Sequence, residues 1–182
     1  MSETFQLREF EPKGSHHIFL DTNVLLYAFA PLAEYKVDIQ EQITKFFEVC
    51  KSVNANLYVT SLVLSEVSNV VIRDDFQAWK IKPENARKDK FKDHYRQTEN
   101  YKEIIDFLNS VNKNIIKLAS PFPDDFQLLD LDKIGKMCYN GDFNDCYFLE
   151  IAARKKWMIF TRDNDLIHHP LREVPVITNL KY

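Results

Sequence analysis

An α/β fold, with a central parallel sheet of four to five strands and helices on both faces, is predicted by three features of this 182-residue sequence. Two short apolar runs, Ile18-Phe19-Leu20 and Trp157-Met158-Ile159-Phe160, are bounded by polar residues, as expected of strands buried on both faces. Helical periodicities alternate with them, the pattern of a sheet covered by helices. Each run also leads into an aspartate, Asp21 directly and Asp163 after Thr161-Arg162. Ligands of open α/β sheets bind outside the carboxyl ends of the strands, so these acids mark one edge of the sheet.

Residues 1–15 read as a polar lead-in. A strand over 16–21 is followed by a short helix from Thr22 to near Pro31. The next helix, about 36–53, carries Ile39, Ile43, Phe46, Phe47 and Cys50 on one face. Leu57-Tyr58-Val59-Thr60 is a second strand, and Ser61 is placed to cap a helix reaching about Ile72. Residues 74–113 are charged and helical in composition, with Pro83 suited to a first turn and Tyr101, Ile104, Ile105 and Leu108 on one stripe. Ile115-Ile116-Lys117-Leu118 reads as a strand stopped by Pro121 and Pro123. A helix over 124–139 turns Phe126, Leu129, Ile134 and Met137 inward, and Gly141 breaks it. Helix 143–156 and strand 157–161 follow. Val174-Pro175-Val176-Ile177 is assigned to an edge strand, where proline is tolerated.

Hydrophobic residues at 45% and aromatics at 13% describe a folded globule rather than a disordered chain. A net charge of −3 provides no global attraction for nucleic acid, so any such contact needs a local patch. With three glycines and no Gly-rich loop, the phosphate-loop and dinucleotide-binding readings fall away. Cys50, Cys138 and Cys146 are odd in number and unpaired in spacing, which argues against a disulfide framework or a zinc site and for a reducing compartment. The first twenty residues hold no signal-peptide core, and the longest apolar stretch, Val24–Ala33, is far shorter than the ~20 residues that span a bilayer. A cytoplasmic protein without a membrane segment is expected.

The acids differ in how much they say alone. Asp21 and Asn23 suit either a helix cap and turn or a ligand set. Glu66 lies in the largely apolar Leu62–Ile72 helix, where Ser65, Glu66, Asn69 and Arg73 form a narrow polar stripe. A lone carboxylate on a buried helix is costly unless paired or bound to a metal, whereas a solvent-facing stripe needs neither. Asp142 is read first as the cap of helix 143–156. Asp145 opens a helix that is apolar nearly all round, so its carboxylate should face a partner. Asp163 and Asp165 frame a turn after a buried strand. Carboxylates gathered on one rim repel, so either some protonate or cations neutralise them. Oxygen donors without histidine or cysteine suit Mg²⁺ or Mn²⁺. Histidines 16, 17, 168 and 169 are assigned no chemistry.

Taken together, Ile18-Phe19-Leu20-Asp21-Thr22-Asn23, Glu66, Asp145 and Thr161-Arg162-Asp163-Asn164-Asp165-Leu166 make the chain resemble the PIN domain, the metal-dependent nuclease fold of VapC-like toxins in bacterial toxin–antitoxin pairs. The resemblance spans nearly the whole chain and implies a PIN-like three-layer sandwich over residues 1–182, with a helical insertion at about 74–113. It implies that Asp21, Glu66, Asp145 and Asp163 hold one or two Mg²⁺ or Mn²⁺ ions and are the catalytic residues. Asp142 and Asp165 are further ligand candidates, with Asn23 and Thr161 supporting. The implied activity is endoribonuclease hydrolysis of RNA phosphodiester bonds, with water as nucleophile. An antitoxin protein is the implied partner, and the apolar Val24–Ala33 stretch is assigned as an exposed surface for it or for a homodimer. The chain departs from the family in length and in carrying Tyr147, Phe148 and Glu150 after Asp145.

Residues Lys80–Arg96 bear on the substrate. Lys82, Arg87, Lys88, Lys90, Lys92 and Arg96 lie among Trp79, Phe91, His94 and Tyr95, a composition that suits either a solvated helix pair or an RNA-binding face using cations and stacked rings. Two rival functions are a catalytically silent PIN-fold module that binds RNA or protein, and a haloacid-dehalogenase-type phosphatase with Asp21 as nucleophile. The latter usually has a second aspartate where Asn23 stands.

Overall fold

The computed structural model describes residues 2–30 and 36–181. Its centre is a sheet of six parallel strands in the order β1-β6-β5-β2-β3-β4, formed by β1 (Thr4–Gln6), β2 (His17–Leu20), β3 (Asn56–Val59), β4 (Ser120–Pro121), β5 (Met158–Phe160) and β6 (Val176–Thr178). The α/β class and the parallel sheet are as expected, but six strands replace four to five. The two additions are short. β1 arises within the supposed lead-in and pairs with β6, and β4 pairs with β3. β6 is therefore interior, and Pro175 sits just before it, where only its carbonyl is used, accepting from Ile159 N at 3.0 Å.

The central strands are buried because their sequence is apolar throughout. Ile18, Phe19, Leu20, Ile159 and Phe160 are all fully buried. Phe19 registers with Ile159, and Leu20 with Phe160, so β2 and β5 end level with each other. From β2 the chain builds outward through β3 to β4, then crosses back to β5 on the other side of β2. The strand order thus reverses between β2 and β5, where α/β sheets open a crevice at their carboxyl ends.

The helices are α1 (Thr22–Phe29), α2 (Val37–Ser52), α3 (Ser61–Lys80), α4 (Glu99–Leu118), α5 (Leu131–Met137), α6 (Phe143–Lys155) and α7 (Asn164–Ile167). Thr60, rather than Ser61, caps α3, and α3 runs on well past Ile72. The apolar run Ile115–Leu118 is the last turn of α4 rather than a strand. Ile115 extends the Tyr101–Leu108 stripe and is fully buried, a helical period that a short run conceals. The helix expected over 124–139 is a 3₁₀ turn, Phe126–Leu128, followed by α5. Ile134 and Met137 are buried, but Phe126 is 55% exposed.

Residues 74–113 comprise the end of α3, a 3₁₀ turn at Pro83–Asn85, a π turn at Phe91–Tyr95 and most of α4. Val24, Leu25, Leu26 and Ala30 are buried, because α1 packs on α2 and α3. Those positions therefore offer no exposed apolar surface; Pro31–Ala33, the rest of that stretch, lies outside the described residues. No described helix is long and apolar enough to cross a membrane.

Candidate metal centre

Asp21, Glu66, Asp145 and Asp163 converge on the crevice between β2 and β5, with the more exposed Asp142 beside them. Asp21 follows β2 and caps α1, its Oδ1 accepting from Thr22 N at 2.7 Å. Its side chain is buried, so its second oxygen needs partners. Thr161 Oγ1 donates to Oδ2 at 2.5 Å, and Asn23 Nδ2 donates to the same oxygen at 3.2 Å. Asn23 Nδ2 also reaches Asp163 Oδ2 at 3.5 Å. Asp163 caps α7, its Oδ1 accepting from Asp165 N at 2.8 Å.

Glu66 comes from α3 and is half-buried. Thr22 Oγ1 donates to its Oε2 at 2.9 Å, and the Asn144 side chain forms a second hydrogen bond to it. Asp145 lies in the first turn of α6, whose start is set by Asp142 Oδ1 accepting from Asp145 N at 3.0 Å. Gly141 lets that turn close, since a Cβ there would lie 3.2 Å from the His169 ring. The rest of α6 is buried from Cys146 to Ala152, as its all-round apolarity required.

The charge balance follows from this crowding. Burial pushes the Asp21 carboxyl up to about 7 against the hydrogen bonds from Thr161 and Thr22, and the charges of Glu66 and Asp163 add to the rise. Burial, then repulsion from Asp142, Asp163, Asp21 and Glu66, raises Asp145 to about 8. Glu66 is also raised, first by burial and then by Asp142 and Asp163. Four elements thus bring Asp21, Glu66, Asp145 and Asp163 into mutual electrostatic reach, with Asp142 beside them. Asp165 is exposed on the first turn of α7 and joins through its backbone N–H alone.

Among the described residues no three His, Cys, Asp or Glu side chains stand close enough together to hold a metal ion as they are placed. The donors are all oxygens, the type that suits a hard divalent cation, and such a cation would have to displace the protons that Asp21 and Asp145, raised to about 7 and about 8, hold near neutrality.

A family model for the PIN domain matches residues 18–170. The chain belongs to the PIN domain family. PIN domains are generally nucleases. Two solved structures are similar to this PIN domain. VapBC2 from Rickettsia felis, crystallised with a DNA fragment from its promoter, aligns over 88% of this chain and 97% of that one, at 11% identity and a TM-score of 0.51. PAE2754 from Pyrobaculum aerophilum aligns over 93% and 88%, at 15% identity and a TM-score of 0.48. No curated protein matches the sequence.

Thr22 and Asn144 are the two partners of Glu66 in this PIN domain; Thr22 stands in the Ile18–Asn23 motif, but neither is marked in the sequence as a partner of Glu66. Thr22 lies 44 positions from Glu66, and nothing local in either segment signals the contact. The basic segment is also placed. Lys82, Arg87, Lys88, Lys90, Lys92 and Arg96 are all exposed. Of the rings among them, Trp79, Phe91 and Tyr95 are not free to stack on bases. Trp79 and Tyr95 are buried in a cluster with Phe76, Phe91 and Tyr101, and the Tyr95 hydroxyl donates to Asp75.

Proposed function

We propose that this PIN domain is a Mg²⁺- or Mn²⁺-dependent endoribonuclease that acts as the toxin of a cytoplasmic toxin–antitoxin pair. The observation that carries the reading is the gathering of Asp21, Glu66, Asp145 and Asp163, from four separate elements, at the switch-point crevice, two of them raised to about 7 and about 8. Those four side chains would hold one or two cations. Such a cation, when bound, supplies an activated water and charge neutralisation at a phosphodiester.

The chain's own residues prepare the place. Thr161 aims Asp21, Asn23 spans Asp21 and Asp163, and Thr22 with Asn144 aims Glu66. Asp145, raised furthest, retains its proton at neutral pH until a counter-charge displaces it. The exposed cations of residues 82–96 would hold RNA by its phosphates rather than by stacking. Residues 74–113 are read as a helical insertion in a single nuclease domain. An antitoxin segment covering the crevice, and a homodimer, are the partners this reading supports. Three free cysteines suit a reducing compartment.

The test is cleavage of an end-labelled single-stranded RNA, with an equivalent DNA beside it, after chelation and after re-addition of Mg²⁺ or Mn²⁺. Cleavage of the RNA that stops on chelation and returns with the cation is expected. Undiminished cleavage in chelator overturns the reading.

A further inference from the structure

The cleft of about 200 Å³ that opens beside Glu66 is lined by Leu62, Ser65, Asn69, Val70 and Arg73 of α3 and by Asn144 of α6. Along α3, Arg73 follows Glu66 by two helical turns, about 10 Å. Arg73 is exposed and forms no ion pair among the described residues. An acidic centre repels a polyanion, and this guanidinium shares a cleft with one of its acids. Its lining combines two apolar side chains, Leu62 and Val70, with the hydroxyl of Ser65 and the amides of Asn69 and Asn144. The volume is below the ~300–1,000 Å³ of ordinary ligand pockets, so the cleft can take only a small part of a larger substrate.

We propose that this cleft is a subsite for the unpaired nucleotide next to the scissile phosphate, with Arg73 gripping the flanking phosphate and Asn69 reading the base edge. The proposal rests on the ribonuclease reading above and adds what that reading lacks, a reason for a single-stranded substrate and for base preference. Arginine offers a planar fork that matches phosphate oxygens in pairs, and an asparagine amide supplies both a donor and an acceptor to a base edge. The basic residues beyond Lys80 then take phosphates further along the strand.

The test uses the full chain. RNA binding is measured by fluorescence anisotropy in an Asp21→Asn background with Mg²⁺, so that bound RNA is not cut. Arg73→Ala is expected to weaken binding on the order of tenfold and to lower the salt slope by about 0.7, the value for one phosphate contact on a single strand. Arg73→Lys should keep the slope while losing part of the affinity. In the otherwise native chain, Arg73→Ala should raise KM with kcat nearly unchanged, and Asn69→Ala should flatten base preference around the cut. Binding and slope unchanged by Arg73→Ala, in a protein whose native form cleaves RNA, overturn the subsite alone. A native chain that shows the Arg73 contrast in binding but cuts no RNA with either cation keeps the Arg73 phosphate contact and overturns the ribonuclease reading, and with it the subsite's place beside a scissile phosphate.

Discussion

Thr161 Oγ1 donates to Asp21 Oδ2 at 2.5 Å, joining two residues 140 positions apart. The same hydroxyl oxygen accepts from Asp163 N at 2.9 Å. One buried side chain thereby sets the position of both strand-end acids, at the point where β2 and β5 part.

Thr161→Val keeps the shape and removes that hydroxyl. Asp21 then loses its shortest donor and Asp163 N its acceptor. Divalent-cation affinity should fall by about 10- to 100-fold, the usual range when an outer partner of a ligand is removed. Stability should drop by about 1–3 kcal/mol for the unsatisfied groups. Calorimetric titration with Mn²⁺ and a urea melt check the two effects. An unchanged affinity would mean that Thr161 does not position Asp21.

Asp145→Asn should stabilise the cation-free protein at high pH. The folded carboxyl is raised from 3.8 to about 8, while the unfolded one titrates near its ordinary value. Below about pH 4 both states are protonated and the site costs nothing. As pH rises from there toward 8, the unfolded chain binds fewer protons than the folded one, so stability falls. The substitution removes that loss without breaking a side-chain hydrogen bond. A gain of about 1–3 kcal/mol at pH 8.5, reduced from the full shift because the group is partly exposed, should vanish by about pH 4. Urea melts in chelator at several pH values measure it. A gain that is equal at both ends of the range would contradict the origin assigned to the shift.

Mg²⁺ or Mn²⁺ should raise Tm, and the rise should grow from pH 6 to pH 8.5. Protons compete for Asp21 and Asp145, whose carboxyls titrate at about 7 and about 8, so cation binding releases protons and strengthens as pH rises. Thermal melts with and without 5–10 mM cation (about that range is enough for weak carboxylate sites) make the comparison. A Tm shift that shrinks with pH would argue against these two acids as ligands.

Glu150 is a buried acid outside the crevice, and its burial has a different solution. Lys133 Nζ lies 3.0 Å from its Oε2 and 2.8 Å from Glu173, tying α5 to α6. Lys133→Met keeps the aliphatic stem but strands a buried charge. A loss of about 1–3 kcal/mol is expected in urea melts, with cation affinity at the crevice unchanged.

Much of this arrangement was legible in the sequence. β2 and β5 are continuous apolar runs, and the all-round apolarity of α6 forecast its burial. Those same patterns made Asp21, Asp163 and Asp145 conspicuous, and the structure brings them to one crevice. What escaped depended on partners far along the chain. β1 is only three residues long, and it is held by pairing with β6 and by Arg172, whose guanidinium donates to the carbonyls of Ser2 and Glu3 and to Thr4 Oγ1. Ile115–Leu118 is too short for its period to be read. Thr22 and Asn144 are ordinary first-turn polar residues until Glu66 is placed beside them. Trp79, Phe91 and Tyr95, which the sequence left open for stacking on bases, instead pack with Phe76 and Tyr101, because a charged segment still needs an apolar centre of its own.

Asp21→Asn tests most directly whether Asp21 belongs to a cation-dependent cutting centre. Asn caps helices as well as Asp does, so Asp21→Asn should leave α1 and the fold intact. Cleavage of a single-stranded RNA by native and Asp21→Asn protein is measured side by side in Mg²⁺ and in Mn²⁺, with matching circular dichroism spectra as the check on folding. Cleavage by the native chain and its loss in the folded variant are predicted. Equal cleavage by both would contradict the account.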